Sequence, residues 1–292
     1  MLLREKCTHF ELSLNISVCC RRVKFQSKPE LALGRCHTTV IGPSIQRQQP
    51  LRFRVFFMPQ LKPVWLQLSR RLITSIQMSE VNLLRALPVS KRNVMARATA
   101  KTPEHIRFAR EFGELYFDGP REYGYGGYQY DGRWKPVALD IISHFGLTIG
   151  SRVLDIGCAK GFLVRDLVNL GIDAYGIDIS EYAVLRGASE TQGRLLVASA
   201  DQLPFPDRSF DAVLSINTAH NLPYRRCLAS ICEMERLAPA KGFVQVDSYH
   251  TQAEKELCES WILTALHHDF TDGWIKLFDD AGYTGDWNWT II

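Results

Sequence analysis

Three carboxylates follow short apolar stretches along this sequence. Asp155 lies near the end of the stretch VLDI, Asp178 ends YGID, and Asp201 follows LLVASA. The first carboxylate is followed by a turn with two glycines, Gly157 and Gly161. Carboxylate oxygens accept hydrogen bonds from hydroxyl, amine and ammonium groups, and glycine lets a ligand approach the backbone closely. The pattern therefore predicts a binding site for a ligand that carries such donors.

These three carboxylates can form one site only if the strands that precede them end at the same edge of a sheet. After Pro136, short apolar strands alternate with helices, and the strands are predicted at 152–156, 173–177, 195–198, 210–216, 242–247 and 286–292. Helical connections of this length require right-handed crossovers, which give a mostly parallel sheet with helices on both faces. The carboxyl ends of parallel strands are where open α/β sheets bind ligands. The sequence thus predicts an α/β fold that brings the three carboxylates together.

The glycine turn differs from that of nicotinamide-binding proteins. The dinucleotide turn reads G-x-G-x-x-G, whereas Ala159 and Phe162 stand at two of its glycine positions here. Asp155 would repel a pyrophosphate, but it suits an ammonium group such as that of a methionine moiety. Further along, Asp178 can accept two hydrogen bonds from ribose hydroxyls. Its alternative role is helix N-cap, for which Ser180 competes.

Asp201 and Ile179 extend the same interpretation to a purine. Asp201 can accept a hydrogen bond from the exocyclic amine of adenine, and Ile179 can pack on the purine face. The ligand indicated by the residues alone combines an ammonium group, a ribose and a purine.

In order and spacing, VLDIGCAKG, YGIDIS and ADQLPFPDRSFDAVLS resemble motifs I to III of class I (Rossmann-like) S-adenosylmethionine-dependent methyltransferases of the small-molecule type 11 group. The resemblance covers about residues 134–248. It implies S-adenosyl-L-methionine as the cofactor. It also implies a three-layer sandwich with a mostly parallel, seven-stranded twisted sheet and an antiparallel final strand.

The resemblance also implies roles for individual residues. Asp155, Gly157 and Gly161 would hold the methionine part, and Asp178 the ribose. Ile179 would flank adenine, Asp201 with Gln202 would read it, and Asn217 would line the methyl-transfer side. Ala159 stands where the family has a glycine, and we expect cofactor binding to survive this change.

The acceptor side has weaker signals. An oxygen or nitrogen acceptor often needs a base, and His220 is the candidate because its ordinary pKa of ~6.5 suits proton removal near neutrality. Its alternative role is a capping or packing histidine. His250 is a second candidate, and a third alternative is a carbon acceptor that needs no base. The tract 119–134, rich in Tyr and Gly, is either a plain connection or a wall that covers the substrate.

Composition divides the chain into three parts. Residues 1–77 carry 13 Lys and Arg against 3 Asp and Glu, and are expected to be a disordered or non-native basic extension. Residues 78–133 are expected to be a helical and Tyr/Gly-rich N-terminal cap, and 134–292 the S-adenosylmethionine-binding domain. Because the latter parts are acidic, nucleic acid is not an expected partner. No apolar run is long enough to predict a membrane span.

The sequence therefore predicts a cytoplasmic S-adenosylmethionine-dependent methyltransferase that acts on a small molecule or a sugar-linked metabolite. No metal site is expected, because the eight cysteines lack C-x-x-C spacing. Two alternatives remain: a non-catalytic S-adenosylmethionine-binding module and an NAD-dependent oxidoreductase. The oligomeric state and the methylated atom are left open.

Overall fold

The structure is a computed structural model that describes residues 78–88 and 94–292. The extension expected over residues 1–77 lies outside the described residues. In the part of the chain that the structure describes, no helix is both long enough and apolar enough to cross a bilayer.

Seven strands build one sheet. They are β1 (Arg152–Ile156), β2 (Asp173–Asp178), β3 (Leu195–Val197), β4 (Ala212–Ile216), β5 (Gly242–Tyr249), β6 (Asp269–Phe270) and β7 (Asp286–Thr290). The order across the sheet is β3-β2-β1-β4-β5, with β6 and β7 both pairing with β5, and every pairing is parallel. The prediction of a mostly parallel α/β sheet is confirmed.

The helices of the described residues precede, connect or follow these strands. They are α1 (Val94–Ala100), α2 (Pro103–Arg110), α3 (Glu114–Phe117), α4 (Trp134–Phe145), α5 (Phe162–Asn169), α6 (Glu181–Leu185), α7 (Tyr224–Leu237), α8 (Gln252–Trp261) and α9 (Thr271–Ala281). Helix α2 begins as its sequence indicates, because the Thr102 side chain accepts a hydrogen bond from the His105 backbone N–H and Pro103 occupies the first turn.

Two hydrophobic cores lie on opposite faces of the sheet. Successive residues of β1 alternate between them: Val153 packs with α4 and α5, whereas Leu154 packs with α7 and α9. In β4, Val213 and Leu214 divide in the same way. Strands that are apolar on both faces are the expected signature of a parallel sheet covered by helices on both sides, and this explains the unbroken apolar stretches in the sequence.

The final strand is parallel, where an antiparallel one was expected. Phe243 pairs with Asp286 and Asp247 with Thr290, so residue numbers rise together in β5 and β7. The cause is the connection, since α9 carries the chain back along the sheet before β7 begins, whereas an antiparallel neighbour needs only a hairpin. The other edge of β7 is covered by the start of the described chain, where Val81 donates its backbone N–H to the Trp287 carbonyl at 2.8 Å.

That edge contact also means that the helical cap expected over residues 78–133 does not begin as a helix. Residues 79–81 are extended along β7, and a turn follows before α1. The apolar residues of this segment serve the core instead, since Leu83 and Leu84 are buried beside α4. Tertiary burial has overridden local helix propensity here.

Candidate functional site

A cavity of about 370 Å³ lies at the carboxyl ends of the central strands. Its floor is formed by residues at or just after the ends of β1, β2 and β4: Gly157, Ala159, Asp178, Ile179, Asn217 and Thr218. Strand β1 has β2 on one side and β4 on the other, so the chain changes direction across the sheet at this point. Such a switch point opens a crevice between diverging connections and is the usual ligand site of open parallel sheets.

The glycine turn after β1 passes very close to Thr218, which follows β4. Gly157 has φ of +77°, and a Cβ at this position would come within 2.0 Å of the Thr218 hydroxyl oxygen. Glycine is thus required by both conformation and space. Ala159 adopts φ of +51°, the left-handed conformation that glycine takes freely and that costs an L-residue ~1–2 kcal/mol. The turn therefore keeps a glycine-type backbone despite the alanine.

Asp178 fixes that turn from the neighbouring strand. Its carboxylate accepts the backbone N–H of Ala159 at 2.8 Å and that of Ser180 at 2.8 Å. Burial raises the pKa of Asp178, and these backbone donors act against the rise. Ser180 is the N-cap of α6, since its hydroxyl accepts the Ala183 N–H. The competition for the cap is thus settled, and Asp178 instead presents its carboxylate to the cavity.

Asp155 is deeply buried at the end of β1, with 5% of its surface exposed. Burial, and then the nearby Asp178 charge, raise the pKa of Asp155 to about 7. Two carboxylates that cannot both ionise comfortably form a site that favours a cation. Asp155 is not among the residues that line the cavity.

Asp201 is engaged by a residue that the sequence analysis did not single out. The Arg226 guanidinium forms a two-point contact with its carboxylate, with Nε to Oδ2 at 2.6 Å and Nη2 to Oδ1 at 3.0 Å. The hydrogen bonds from Arg226 hold the pKa of Asp201 at about 2. Arg226 lines the cavity with Ser199, whereas Asp201 does not, and Gln202 is exposed outside it.

Asn217 follows β4 in the left-handed region, with φ of +53°, a conformation that asparagine tolerates. Its side-chain oxygen accepts the Thr290 hydroxyl at 2.9 Å, and Thr290 in turn accepts from the Gln245 amide at 3.0 Å. The final strand therefore orients the side chain that forms this part of the cavity floor.

His220 lies behind the cavity and is 4% exposed. Its Nδ1 accepts the Asp247 backbone N–H at 2.9 Å, which leaves the ring hydrogen on Nε2, 3.8 Å from the Asp247 carboxylate. Burial lowers the pKa of His220, although Asp247 opposes this. In this arrangement the lone pair of Nδ1 is already in use. The base role of His220 stays a prediction.

Another side of the cavity, called here the aromatic wall, is formed by residues that precede α4. Tyr116 and Phe117 of α3 line the cavity with Tyr125 from the Tyr/Gly-rich tract. The rings contact one another, with centroids 5.2 Å apart for Tyr116 and Tyr125 and 5.8 Å apart for Phe117 and Tyr125. The tract is therefore more than a plain connection, because it contributes an aromatic side chain to the cavity.

A buried ion pair attaches this wall to the glycine turn. Lys160 donates to both carboxylate oxygens of Asp118, at 2.7 and 2.6 Å, and to the Tyr128 carbonyl at 2.9 Å. Although burial acts to raise it, hydrogen bonds from Lys160 and Tyr182 hold the pKa of Asp118 below its ordinary value. The sequence analysis named neither partner.

Of the eleven residues singled out from the sequence, five line the cavity together: Gly157, Ala159, Asp178, Ile179 and Asn217. The other six are not lining residues: Asp155, Gly161, Asp201, Gln202, His220 and His250. In the ranges 78–88 and 94–292 no group of three His, Cys, Asp or Glu side chains is placed to hold a metal ion. Among the residues that the sequence analysis missed, Arg226 and the aromatic wall stand out.

This fold is the Rossmann-like fold of class I methyltransferases, a class that uses S-adenosylmethionine in general. Residues 154–246 match the type 11 family model described as a methyltransferase domain. The predicted family resemblance is confirmed.

Two curated relatives extend the match. The 2-methyl-6-phytyl-1,4-hydroquinone methyltransferase of Synechocystis sp. is 28% identical over 187 residues, which cover 57% of this chain and 58% of that protein. The demethylmenaquinone methyltransferase of Beutenbergia cavernae is 32% identical over 123 residues, which cover 41% of this chain and 49% of that protein. The chain thus spans about half the length of these relatives.

Among solved structures, the YcgJ protein of Bacillus subtilis matches with a TM-score of 0.39 and 19% identity. The match covers 49% of this chain and 66% of that one.

Proposed function

We propose that this protein transfers a methyl group from S-adenosyl-L-methionine to a small molecule. The observation that carries the proposal is the meeting of Gly157, Ala159, Asp178, Ile179 and Asn217 around one cavity at the switch point of the sheet. These are residues to which the sequence alone gave cofactor-binding roles.

The residues around the floor suit the parts of this cofactor. Ile179 is an apolar side chain with 57% of its surface exposed beside the cavity, a surface that a purine face would cover. Asp178 presents carboxylate oxygens that still have acceptor capacity for ribose hydroxyls. The paired acids Asp155 and Asp178 favour a ligand with a positive charge over a pyrophosphate.

When bound, the cofactor supplies a methyl group on a sulfonium sulfur. Transfer is an in-line displacement: the acceptor atom forms the new bond to carbon, the sulfur keeps the electron pair of the broken bond, and any acceptor proton leaves to solvent or a base. The protein therefore contributes chiefly orientation and exclusion of water. The cavity floor holds the donor, and the aromatic wall holds the acceptor against it.

The wall indicates an acceptor with an apolar portion. Tyr116, Phe117 and Tyr125 face the cavity, joined by Leu222 and Leu266. The relatives named above methylate, by their names, a phytyl hydroquinone and demethylmenaquinone, which also combine a ring with an apolar chain. A sugar-linked metabolite is the second acceptor class, since aromatic rings also pack against the apolar faces of sugars.

The proposal is tested first by ligand binding. Thermal melting is followed with S-adenosylmethionine, S-adenosylhomocysteine and NAD, and a free concentration of 100 Kd should stabilise the fold by ~2.7 kcal/mol. We expect both adenosyl compounds to raise the melting temperature and NAD to leave it unchanged. Stabilisation by NAD alone would refute the proposal and favour an oxidoreductase.

A transfer assay separates an enzyme from a non-catalytic binding module. Cofactor labelled in its methyl group is incubated with an extract of the source organism, and the labelled product is identified. The Asp178→Ala variant is the matched control, because transfer that depends on the proposed site should be lost in it. Cofactor binding with no labelled product in extracts and in panels of prenylated ring compounds and glycosides would favour the module.

A further inference from the structure

Asp118 and Lys160 form a buried pair that the cofactor chemistry does not require. The Lys160 side chain is 7% exposed and that of Asp118 is 22% exposed. Lys160 lies inside the glycine turn, between Ala159 and Gly161, whereas Asp118 directly follows α3. A surface lysine would gain little from an ion pair, but a buried one must be paired and fully hydrogen-bonded to be tolerated.

Every donor and acceptor of this pair is used. The three ammonium hydrogens of Lys160 meet both oxygens of Asp118 and the Tyr128 carbonyl. Asp118 also accepts the Tyr128 backbone N–H at 3.2 Å and the Tyr182 hydroxyl at 2.7 Å. Asp118 and Lys160 thus link three separate parts of the chain: the cap segment, defined here as residues 112–130, the glycine turn, and helix α6.

Contacts between aromatic rings also link the cap segment to the residues after the glycine turn. Tyr128 stacks on Phe162, the first residue of α5, with centroids 4.8 Å apart. Tyr128 also contacts Tyr125, with centroids 4.5 Å apart, and Tyr125 lines the cavity. The glycine turn and the aromatic wall are therefore joined by a continuous series of contacts through Lys160 and Tyr128.

We propose that Asp118 and Lys160 are a positioning pair that couples the cofactor turn to the aromatic wall, so that cofactor binding orders the acceptor side of the cavity. The inference rests on the proposed function, because the cofactor site is one of the two sites that it couples. Neither Asp118 nor Lys160 lines the cavity, so the pair would act through Ala159 on one side and Tyr125 on the other. Coupling of this kind makes each site sensitive to the other's occupancy.

The test removes both charges at once in the full chain. Asp118→Asn or Lys160→Met alone would leave a buried charge without its partner and could unfold the protein. The double variant Asp118→Asn/Lys160→Met keeps the sizes of both side chains and leaves no orphaned charge. Asp140→Asn is the matched control, since it breaks the exposed Arg85–Asp140 pair, which also crosses between distant parts of the chain.

Two readouts use S-adenosylhomocysteine as the probe: its Kd by calorimetry, and hydrogen exchange of the cap segment with and without it. In the wild type and in Asp140→Asn, we expect the probe to slow exchange over residues 112–130. In the double variant we expect the protection to disappear and the Kd to rise roughly tenfold, within the usual range of coupling between sites. Both are measured below the melting temperature of each variant.

The outcomes separate this inference from the function on which it rests. A double variant that melts earlier, yet binds the probe as tightly as the wild type and shows the same protection, would mean that the pair is only structural and would overturn the inference while leaving the proposed function intact. Wild-type protein that does not bind S-adenosylhomocysteine would overturn both.

Discussion

Asp178 both holds the glycine turn and lines the cavity, and replacing it by alanine removes both contributions. In the structure its carboxylate holds the N–H groups of Ala159 and Ser180, each at 2.8 Å, and also faces the cavity. The substitution therefore has two separate effects. It leaves two backbone donors without their charged acceptor, and it withdraws the oxygens proposed to hold the ribose.

The effect on ligand binding follows from the second loss. A hydrogen bond to a charged group contributes about 1.5–3 kcal/mol. Asp178→Ala should thus raise the Kd for S-adenosylhomocysteine by roughly 10- to 150-fold, since 1.4 kcal/mol corresponds to a factor of ten. The turn also becomes less well fixed, because Ala159 holds a left-handed conformation that Asp178 helps to stabilise. This second contribution has the same sign.

Isothermal calorimetry with S-adenosylhomocysteine measures the change directly, and circular dichroism shows that the variant is folded at the temperature used. Ser180→Ala is the matched control. It removes the cap of α6 two residues away at a cost of about 1 kcal/mol in stability, but Ser180 does not line the cavity. Folded Asp178→Ala protein that binds the probe as tightly as the wild type would refute the ribose assignment.

Two further predictions concern Asp155 and His220. Burial raises the pKa of Asp155 to about 7, so the folded chain binds a proton that the unfolded chain releases near pH 4, and the free energy of unfolding should fall by up to about 4 kcal/mol as pH rises from 4 to 7. Asp155→Asn should remove this contribution. The free energy of unfolding in urea is measured across that pH window, and a variant in which it falls with pH as steeply as in the wild type would contradict the reasoning. Nδ1 of His220 accepts the Asp247 N–H, and the amide oxygen of an asparagine could accept it too. His220→Asn should therefore retain this hydrogen bond and most of the turnover, measured with the acceptor found in the extract. His220→Leu should lose both the hydrogen bond and the turnover. Equal loss in both variants, together with a changed pH–rate profile, would instead support His220 as the base.

The central part of the fold could be predicted because it follows local rules. Apolar strands alternate with helices, and this pattern requires a parallel sheet with both faces covered. The glycine turn was recognisable because Gly157 must adopt a positive φ against Thr218, a constraint that restricts residue type. The direction of the final strand was predicted wrongly because its antiparallel orientation was taken from the family resemblance, whereas the 11-residue helix α9 before it forms a crossover to a parallel strand.

Contacts between residues that are far apart in the chain could not be predicted from the sequence. Lys160 stands between Ala159 and Gly161 in the glycine turn with no sequence signal of a partner, and Asp118 lies in a segment that reads only as the end of a short helix. Their pairing depends on how the cap segment folds back over α5, which no periodicity reveals. Arg226 likewise looks like an exposed residue in the first turn of α7, and its two-point contact with Asp201 depends on the placement of that helix.

The position of Arg226 changes how Asp201 should be understood. The sequence motif assigned Asp201 to adenine, yet both of its oxygens are engaged by Arg226, and one of them also by Ser199. Arg226 and Ser199, not Asp201, reach the cavity. Asp201 thus orients Arg226 beside the cavity, and its role toward adenine stays a prediction. The proposed donor side of the site follows from local motifs, whereas the proposed acceptor side depends on such long-range contacts, so we expect the determinants of the acceptor in the cap segment and in α7.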